Sequence, residues 1–271
     1  MTLALRLSFA LHLASAAAWW AWPQHWPWWL GVLVANHGVL AIGAMIPRSR
    51  LLGPNMTRLG PAASARREVA LSFDDGPDPA VTPHVLDLLQ AHGAHASFFC
   101  VGERALAHPD LVRKMVEHGH SVENHSAYHS NGFAFLGPRP LIREITTAQT
   151  QIQQACGVAP SFFRAPMGFR SPWLAPVLER IGLRYATWTR RGFDAVETDP
   201  QAVLARLTHN LRSGDILLLH DGHTAAPWGQ PARRPGTPVV LDVLPALLDA
   251  LHAQGLKPVS LPEACRNDPT L

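Results

Sequence analysis

Two adjacent carboxylic acids at the end of an apolar run constrain this chain more than any other feature. The run at positions 69–73 leads directly into Asp74 and Asp75. Two neighbouring carboxylates repel each other, and one of them tends to keep its proton unless a positive charge offsets the repulsion. A divalent cation supplies such a charge: Asp75 can bind it while Asp74 acts as a base beside it. We therefore expect the fold to bring further metal ligands to this strand end.

His125 and His129 are the best candidates for those ligands. A spacing of four residues places both imidazoles on one face of a helix or on two sides of a tight loop. With Asp75 they make a three-ligand set that leaves an open position for water, as in catalytic zinc sites. Taken alone, the acid pair is explained as well by a turn, where Asp is common. A structural histidine usually occurs singly, so the pair favours a metal site.

Composition argues against several other classes of protein. The net charge is only +3 and the basic residues are dispersed, so no nucleic-acid partner is expected. The chain has three cysteines, an odd count without CxxC spacing, so no disulfide framework is predicted. Its 271 residues suffice for one catalytic domain and an appendage.

The first 47 residues differ from the rest. Two apolar runs, at positions 3–22 and 28–46, each approach the ~20 residues that cross a bilayer. Tryptophans cluster around the turn between them, as in the aromatic belt of a membrane interface: Trp19, Trp20, Trp22, Trp26, Trp28 and Trp29. Residues 1–47 are therefore predicted to form a transmembrane helical hairpin in contact with membrane lipid. A single signal anchor and a cleaved or soluble form are the alternatives.

The flanking charges predict the orientation. The turn between the apolar runs has no Lys or Arg, whereas five arginines follow the second run: Arg48, Arg50, Arg58, Arg66 and Arg67. By the positive-inside rule, the domain that follows lies on the cytoplasmic side of a bacterial inner membrane. We expect residues 48–67 to be a linker, residues 68–265 to be a catalytic domain and residues 266–271 to be a tail.

Beyond residue 68 the pattern alternates between strands and helices. Strands are predicted at 69–73, 96–101, 121–123, 161–163, 183–188, 215–219 and 257–260, and helices at 82–92, 109–119, 139–156, 171–182, 200–212 and 239–254. Such alternation predicts an α/β domain with a parallel sheet covered on both faces. Polar candidates follow the strand ends, which fits the mouth of a barrel or the edge of an open doubly wound sheet, and periodicity does not separate the two.

With these motifs in view, residues 68–265 resemble the NodB-type polysaccharide deacetylases, carbohydrate esterase family four. The resemblance rests on four motifs: Phe-Asp-Asp-Gly at 73–76, His-Ser-x-x-His at 125–129, Arg-x-Pro at 164–166, and an apolar strand ending in His at 217–220. It implies a distorted (β/α)7-type barrel of parallel strands. It also implies Asp74 as the general base, Asp75, His125 and His129 as metal ligands, and Ser126 as a residue that steadies the ligand loop.

The resemblance assigns four further roles. Arg164 orients the base, His220 is the general acid, Asp194 tunes the catalytic residues, and the backbone N–H near Met167 helps to bind the oxyanion. The family usually has Tyr where this chain has Met167 and often has Trp where it has Ala195.

Two arginines before Asp194 are also unexpected for the family. Arg190 and Arg191, together with Arg233 and Arg234 on the following loop, can hold a phosphate or another anion, or form a solvated basic rim.

The function implied is a metal-dependent hydrolase that removes an acyl group, N-acetyl first of all, from a carbohydrate or glycolipid. Zn²⁺ is the expected cofactor, while Co²⁺, Ni²⁺ and Fe²⁺ suit the same donors. Two alternatives stay open: a deacylase of a lipid-linked amino sugar or other non-polymer amide, and a non-catalytic glycan-binding membrane protein.

Overall fold

A computed structural model describes residues 2–222 and 238–266. The strands are β1 Glu68–Asp74, β2 Ser97–Cys100, β3 Ser121–Asn124, β4 Phe162–Phe163, β5 Arg184–Tyr185, β6 Arg190–Arg191, β7 Ile216–His220 and β8 Lys257–Val259. The helices are α1 Leu3–Ala21, α2 Trp26–Met45, α3 Pro61–Ala65, α4 Thr82–Ala91, α5 Gly102–Ala107, α6 Pro109–Glu117, α7 Pro138–Cys156, α8 Leu174–Ile181, α9 Pro200–Thr208, α10 Val239–Ala253 and α11 Leu261–Cys265.

The connection between β5 and β6 requires the sheet to curl into a barrel. All strand pairs are parallel, in the order β5-β4-β3-β2-β1-β7-β6, with β8 beside the start of β1. Seven flat strands would separate the two edges by roughly 29 Å, at about 4.8 Å per spacing. Only residues 186–189 join those edges, and this segment reaches about 17 Å at most. The edges therefore face each other, which confirms the distorted parallel barrel over the open sheet.

Side-chain alternation along β1 directs the Asp74 side chain into the barrel interior. Leu71 and Phe73 pack outwards, in the cluster formed with α4 and α10. Ala70 belongs to the inner cluster, which also contains Phe99 and Leu218. Because successive side chains of a strand point to opposite faces, Ser72 and Asp74 share the inner face with Ala70.

The segment at 48–67 packs closely on the barrel instead of standing apart as a free linker. Leu52, Leu59 and Ala63 are buried. Met56 bridges to Ala186 in the gap between β5 and β6. Asn55 ties the segment down, since its side chain donates to the carbonyls that follow α2 and accepts a hydrogen bond from the Thr187 hydroxyl at 2.9 Å. The segment thus completes the barrel wall.

The N-terminal helices α1 and α2 lie against each other, joined by a 3-10 turn at Pro23–His25. Polar groups meet across them: Asn36 donates to the Ser8 hydroxyl at 2.8 Å, and the His12 and His37 rings pack edge to face. Within the described part of the chain, Pro23–Met45 is the stretch long and apolar enough to cross a membrane. The first helix does not meet that criterion, so a second span stays a prediction.

The structure differs from the sequence prediction at several short elements, and the helices α3, α5 and α11 were not predicted. The predicted strand at 183–188 is the two-residue β5, followed by the unpredicted strand β6. The predicted helix at 171–182 begins at Leu174, and Ser171 instead bonds to the Leu136 carbonyl. The predicted helix at 82–92 begins at Thr82, whose hydroxyl donates to Asp221 at 2.6 Å. The long loop predicted after His220 lies mostly outside the described residues.

Candidate active site

Neighbouring strand ends deliver the predicted site residues to one place. Asp74 lies opposite Phe99 of β2 and His220 of β7 in the ladder. Asn124 of β3 pairs with Phe163 of β4, so the residues that follow them, His125 and Arg164, leave adjacent strands together. The site therefore sits at the carboxyl ends of the strands, where parallel barrels carry their active sites.

Asp75, His125 and His129 form a candidate metal centre. One ligand atom from each lies within 4.8 Å of the others. Both imidazole Nε2 atoms face Asp75 Oδ1, at 3.2 Å for His125 and 3.1 Å for His129. Burial opposes ionisation of Asp75, but the histidine side chains around it, including His220, outweigh burial and hold the pKa of this carboxyl well below its usual range. The Asp75 carboxylate is thus ionised at neutral pH.

The hydrogen bond between His125 and the Arg164 carbonyl determines which imidazole nitrogen presents a lone pair to the candidate metal centre. Its Nδ1 lies 2.9 Å from the Arg164 carbonyl, which only accepts, so Nδ1 carries the proton and Nε2 presents a lone pair. Asp75 Oδ1 is buried without a hydrogen-bond donor. Acceptors that converge without a proton between them fit a divalent cation, and one carboxylate with two imidazoles is the donor set of a catalytic zinc site.

Asp74 is held apart from this centre by Arg164. The guanidinium Nη1 donates to Asp74 Oδ1 at 2.5 Å and to Ser72 Oγ at 3.0 Å. Its other nitrogens donate to the carbonyls of Ala186 and Thr187. Arg164 is fully buried, with its cation 3.9 Å from the centroid of the Phe99 ring. Because the buried guanidinium donates to all of these acceptors, it holds the Asp74 carboxylate in one position.

His220 faces the acids from β7 and is oriented by Asp194. One Asp194 oxygen lies 2.8 Å from His220 Nδ1, and the other accepts the His220 backbone N–H at 2.7 Å. Burial lowers the pKa of His220, but the charge and hydrogen bond of Asp194 outweigh it and raise the pKa to about 9. The imidazole is therefore protonated at neutral pH, with Nε2 left to face the site.

Backbone strain concentrates around these residues. Non-glycine residues with positive φ include Asp75 at 74°, Ser126 at 68°, His129 at 49°, Met167 at 58° and Phe193 at 64°. Such conformations cost of order 1–3 kcal/mol and cluster at functional sites. Met167 adopts its strained conformation in the turn that follows Arg164, where its backbone N–H was predicted to bind an oxyanion.

The loop that carries the histidines is braced by Ser126 and by one residue that the sequence reasoning missed. Ser126 Oγ accepts the His129 N–H at 3.0 Å. Asn124 Oδ1 accepts the Ser126 N–H, while its amide donates to Ile145 and Gln149 of α7. The position of Asn124, at the end of a buried strand and directly before the first histidine, is the sequence signal that could have identified this residue.

Asp221 was also missed, although an acid directly after His220 signals it. It is buried, and its backbone N–H donates to the Asp74 carbonyl at 3.2 Å. Burial raises its pKa to about 7, with the Thr82 hydrogen bond acting in the opposite direction. Its carboxylate packs so closely on Gly76 that a Cβ there would lie 2.3 Å from an Asp221 oxygen, which explains the glycine.

The arginines predicted at the mouth have different environments. Arg190 pairs with Asp215 at 2.5 Å and also donates to the carbonyls of His209 and Asn210, so it is a structural ion pair and not an anion site. Arg191 stacks over Phe193 and Trp188, with centroid distances of 4.8 and 5.3 Å. Ala195 is half-buried beside them. Arg233 and Arg234 lie outside the described residues.

Comparison with known proteins places the chain in a family. A family model described as polysaccharide deacetylase matches residues 62–186. A chitooligosaccharide deacetylase of Bradyrhizobium is 32% identical over 201 residues, which cover 74% of this chain and 91% of the relative. The chain belongs to the polysaccharide deacetylase family. It is also 32% identical over 159 residues to a peptidoglycan-N-acetylglucosamine deacetylase of Bacillus cereus, covering 57% of this chain and 72% of that protein.

Solved structures of the polysaccharide deacetylase family agree with the fold. A family 4 carbohydrate esterase from Streptomyces lividans, in complex with acetate, superposes with a TM-score of 0.61 at 30% identity, covering 70% of this chain and 91% of that one. A family 4 pseudoenzyme from Bacillus anthracis superposes with a TM-score of 0.67 at 19% identity, covering 78% and 68%, and shows the fold alone.

Replacement of a proposed ligand tests the metal centre directly. In His125→Ala the centre keeps one carboxylate and one imidazole, so the purified full chain should lose most of its bound zinc in metal analysis. His84→Ala, a change at an exposed histidine of α4, is the matched control and should retain it. Zinc content in His125→Ala equal to that of the control would rule His125 out as a ligand.

Proposed function

We propose that this protein is a metal-dependent hydrolase that removes an N-acetyl group from an amino sugar. The observation that carries the proposal is the separation of two adjacent acids: Asp75 faces His125 and His129, while Asp74 is held by Arg164. That division gives one carboxylate to a metal and the other to proton transfer. Relatives named for deacetylation of chitooligosaccharides and of peptidoglycan N-acetylglucosamine support the substrate class.

Asp75, His125 and His129 would hold the ion, with Zn²⁺ expected and Co²⁺, Ni²⁺ or Fe²⁺ suited to the same donors. When bound, such an ion polarises the acyl oxygen and acidifies water. Ser126 keeps the ligand loop in place through the His129 N–H.

Asp74 is the general base in this proposal. Arg164 occupies its Oδ1, which leaves Oδ2, 3.9 Å from His125 Nε2, on the side of the metal ligands. From there Oδ2 takes the proton of the attacking water. The backbone N–H of Met167 stabilises the oxyanion that forms on the former carbonyl oxygen.

His220 is the general acid. Because Asp194 engages its Nδ1, the proton on Nε2 is the one available to the leaving amine. A pKa of about 9 keeps that proton in place at neutral pH. A non-catalytic glycan-binding role would require no such arrangement of a base, a protonated acid and a metal centre, so the catalytic role is preferred.

We also propose that the N-terminal helices anchor the protein in a bacterial inner membrane, with the catalytic domain on the cytoplasmic side. The apolar stretch Pro23–Met45 supports an anchor. Arg48 and Arg50 directly after it, and the absence of Lys and Arg from the turn between the helices, support the orientation.

Acetate release from N-acetylchitotetraose tests the function. The purified full chain should release acetate, lose the activity to a chelator and regain it with Zn²⁺. Asp74→Asn should lower kcat by roughly 10²- to 10⁴-fold, the usual contribution of a general base, and keep its zinc. The exposed Asp249→Asn on α10 is the control. Full activity in Asp74→Asn would refute the assignment of the base.

The dependence of the rate on pH tests the role of His220 as the general acid. His220 works in its protonated form, so the rate should fall as pH rises through the pKa of about 9. Asp194→Asn removes the charge that raises this pKa, so burial then lowers it and the alkaline limb should move down by at least about one pH unit. An unchanged limb with reduced kcat would show that Asp194 does not act through His220.

Reporter fusions test the orientation. A fluorescent protein fused after Leu271 should be bright, and alkaline phosphatase, active only outside the cytoplasm, should be inactive there. Fusions in the turn after Trp22 should give the reverse pattern. An active phosphatase at the C-terminus would overturn the proposed orientation.

A further inference from the structure

The last turn of α2 is attached to the loop that follows Arg164. The Arg170 N–H donates to the Ala44 carbonyl at 3.2 Å, within α2. Pro47, two residues after the helix, packs on Gly168: a Cβ at that glycine would lie 3.0 Å from Pro47 and 2.6 Å from Trp188. Gly168 directly follows Met167. The proposed oxyanion loop and the end of the apolar helix are therefore in direct contact.

These contacts fix the distance of the site from a membrane. An α-helix of the length of α2 spans about 30 Å, the thickness of the hydrocarbon core. Only 6% of its apolar window is buried in the protein, so almost all of the helix is free to contact lipid. With α2 across the bilayer, Pro47 lies at the membrane surface, and Met167 and Gly168, in the loop that follows Arg164, lie beside it.

A cation that pairs with no carboxylate of the described residues lies on the same side of the site: Arg191, whose guanidinium stacks on Trp188 and Phe193. Arg191 of β6 lies opposite Leu218 in the ladder, two residues before His220, and Leu218 faces the barrel interior. Its Nε is buried and has no hydrogen-bond partner. Among residues 2–222 and 238–266, no carboxylate pairs with it, whereas its neighbour Arg190 is paired with Asp215. The guanidinium fork of Arg191 thus remains available to a ligand.

Arg48 adds a second cation next to Pro47. Its guanidinium donates to the Thr189 carbonyl at 3.2 Å, two residues before Arg191 on the same edge of the barrel. Exposed apolar side chains lie near them, with Met167 39% and Phe193 46% exposed. Guanidinium groups beside apolar surface, between a membrane helix and a sugar site, complement a phosphate that joins a sugar to a lipid.

We propose that the substrate is an acylated amino sugar joined to a lipid through a phosphate, with Arg191 and Arg48 binding that phosphate at the membrane surface. This inference rests on the proposed deacetylase function. The lipid tail stays in the bilayer beside α2, and the sugar reaches the pocket between Asp74 and His220. A neutral polymer has no group that would use these cations.

The test compares two substrates with the full chain in nanodiscs of phosphatidylcholine. One is N-acetylglucosamine joined through phosphate to a polyprenyl chain, and the other is N-acetylchitotetraose. The wild-type chain should prefer the first in kcat/KM. Arg191→Gln should reduce that preference roughly 10- to 100-fold, mainly through KM, because a charged hydrogen bond to phosphate is lost. Arg191→Lys should retain part of it.

Lys257→Gln is the matched control, since this exposed cation lies on β8 at the start of β1, away from the site. It should leave both activities and their ratio unchanged. If Arg191→Gln fails to fold, Arg48→Gln and Arg191→Lys carry the same comparison. A ratio unaltered in the arginine variants, or wild-type preference for chitotetraose, would overturn the inference while leaving the deacetylase function intact.

Two further outcomes are decisive. If phosphatidylglycerol in the nanodiscs alters chitotetraose hydrolysis in the wild type but not in Arg191→Gln, Arg191 binds bulk lipid headgroups and the inference is wrong. If neither substrate releases acetate from the zinc-loaded chain, the proposed function fails and this inference fails with it.

Discussion

Arg164 carries a positive charge into the centre of the barrel, and the rest of the site depends on how that charge is satisfied. A buried cation is costly unless it is paired and fully hydrogen-bonded. Here its partners come from two parts of the barrel: Asp74 and Ser72 on β1, and the carbonyls of Ala186 and Thr187 beyond β5. Its own carbonyl sets the tautomer of His125. One residue thus positions Asp74 and orients His125.

The closure of the barrel explains how this is possible. Because residues 186–189 must join the two edges of the curled sheet, the carbonyls of Ala186 and Thr187 are brought inward to Arg164. The segment at 48–67 fills the remaining gap between β5 and β6 and connects the barrel wall directly to α2. The site and the apolar helix α2 therefore belong to one packed unit.

Residues that carry the chemistry could be predicted from the sequence because each follows a recognisable apolar strand. Asp74, Asp75 and His220 are of this kind, and the structure brings them together with His125 and Arg164. The strand β6 could not be predicted, since two residues show no periodicity. Arg190 forms an ion pair and Arg191 does not, and this difference depends on Asp215, which is distant in sequence. The packing of 48–67 is likewise a tertiary effect that composition does not reveal.

We propose that the two adjacent acids have different tasks, with Asp75 on the metal and Asp74 on Arg164. Anomalous diffraction at the zinc edge from crystals of the zinc-loaded full chain tests this division most directly. We expect a single peak with ligand distances of about 2.0–2.2 Å to Asp75 and to Nε2 of His125 and His129, with Asp74 still bonded to Arg164. A zinc ion coordinated by Asp74, or by His220 in place of either histidine, would contradict it.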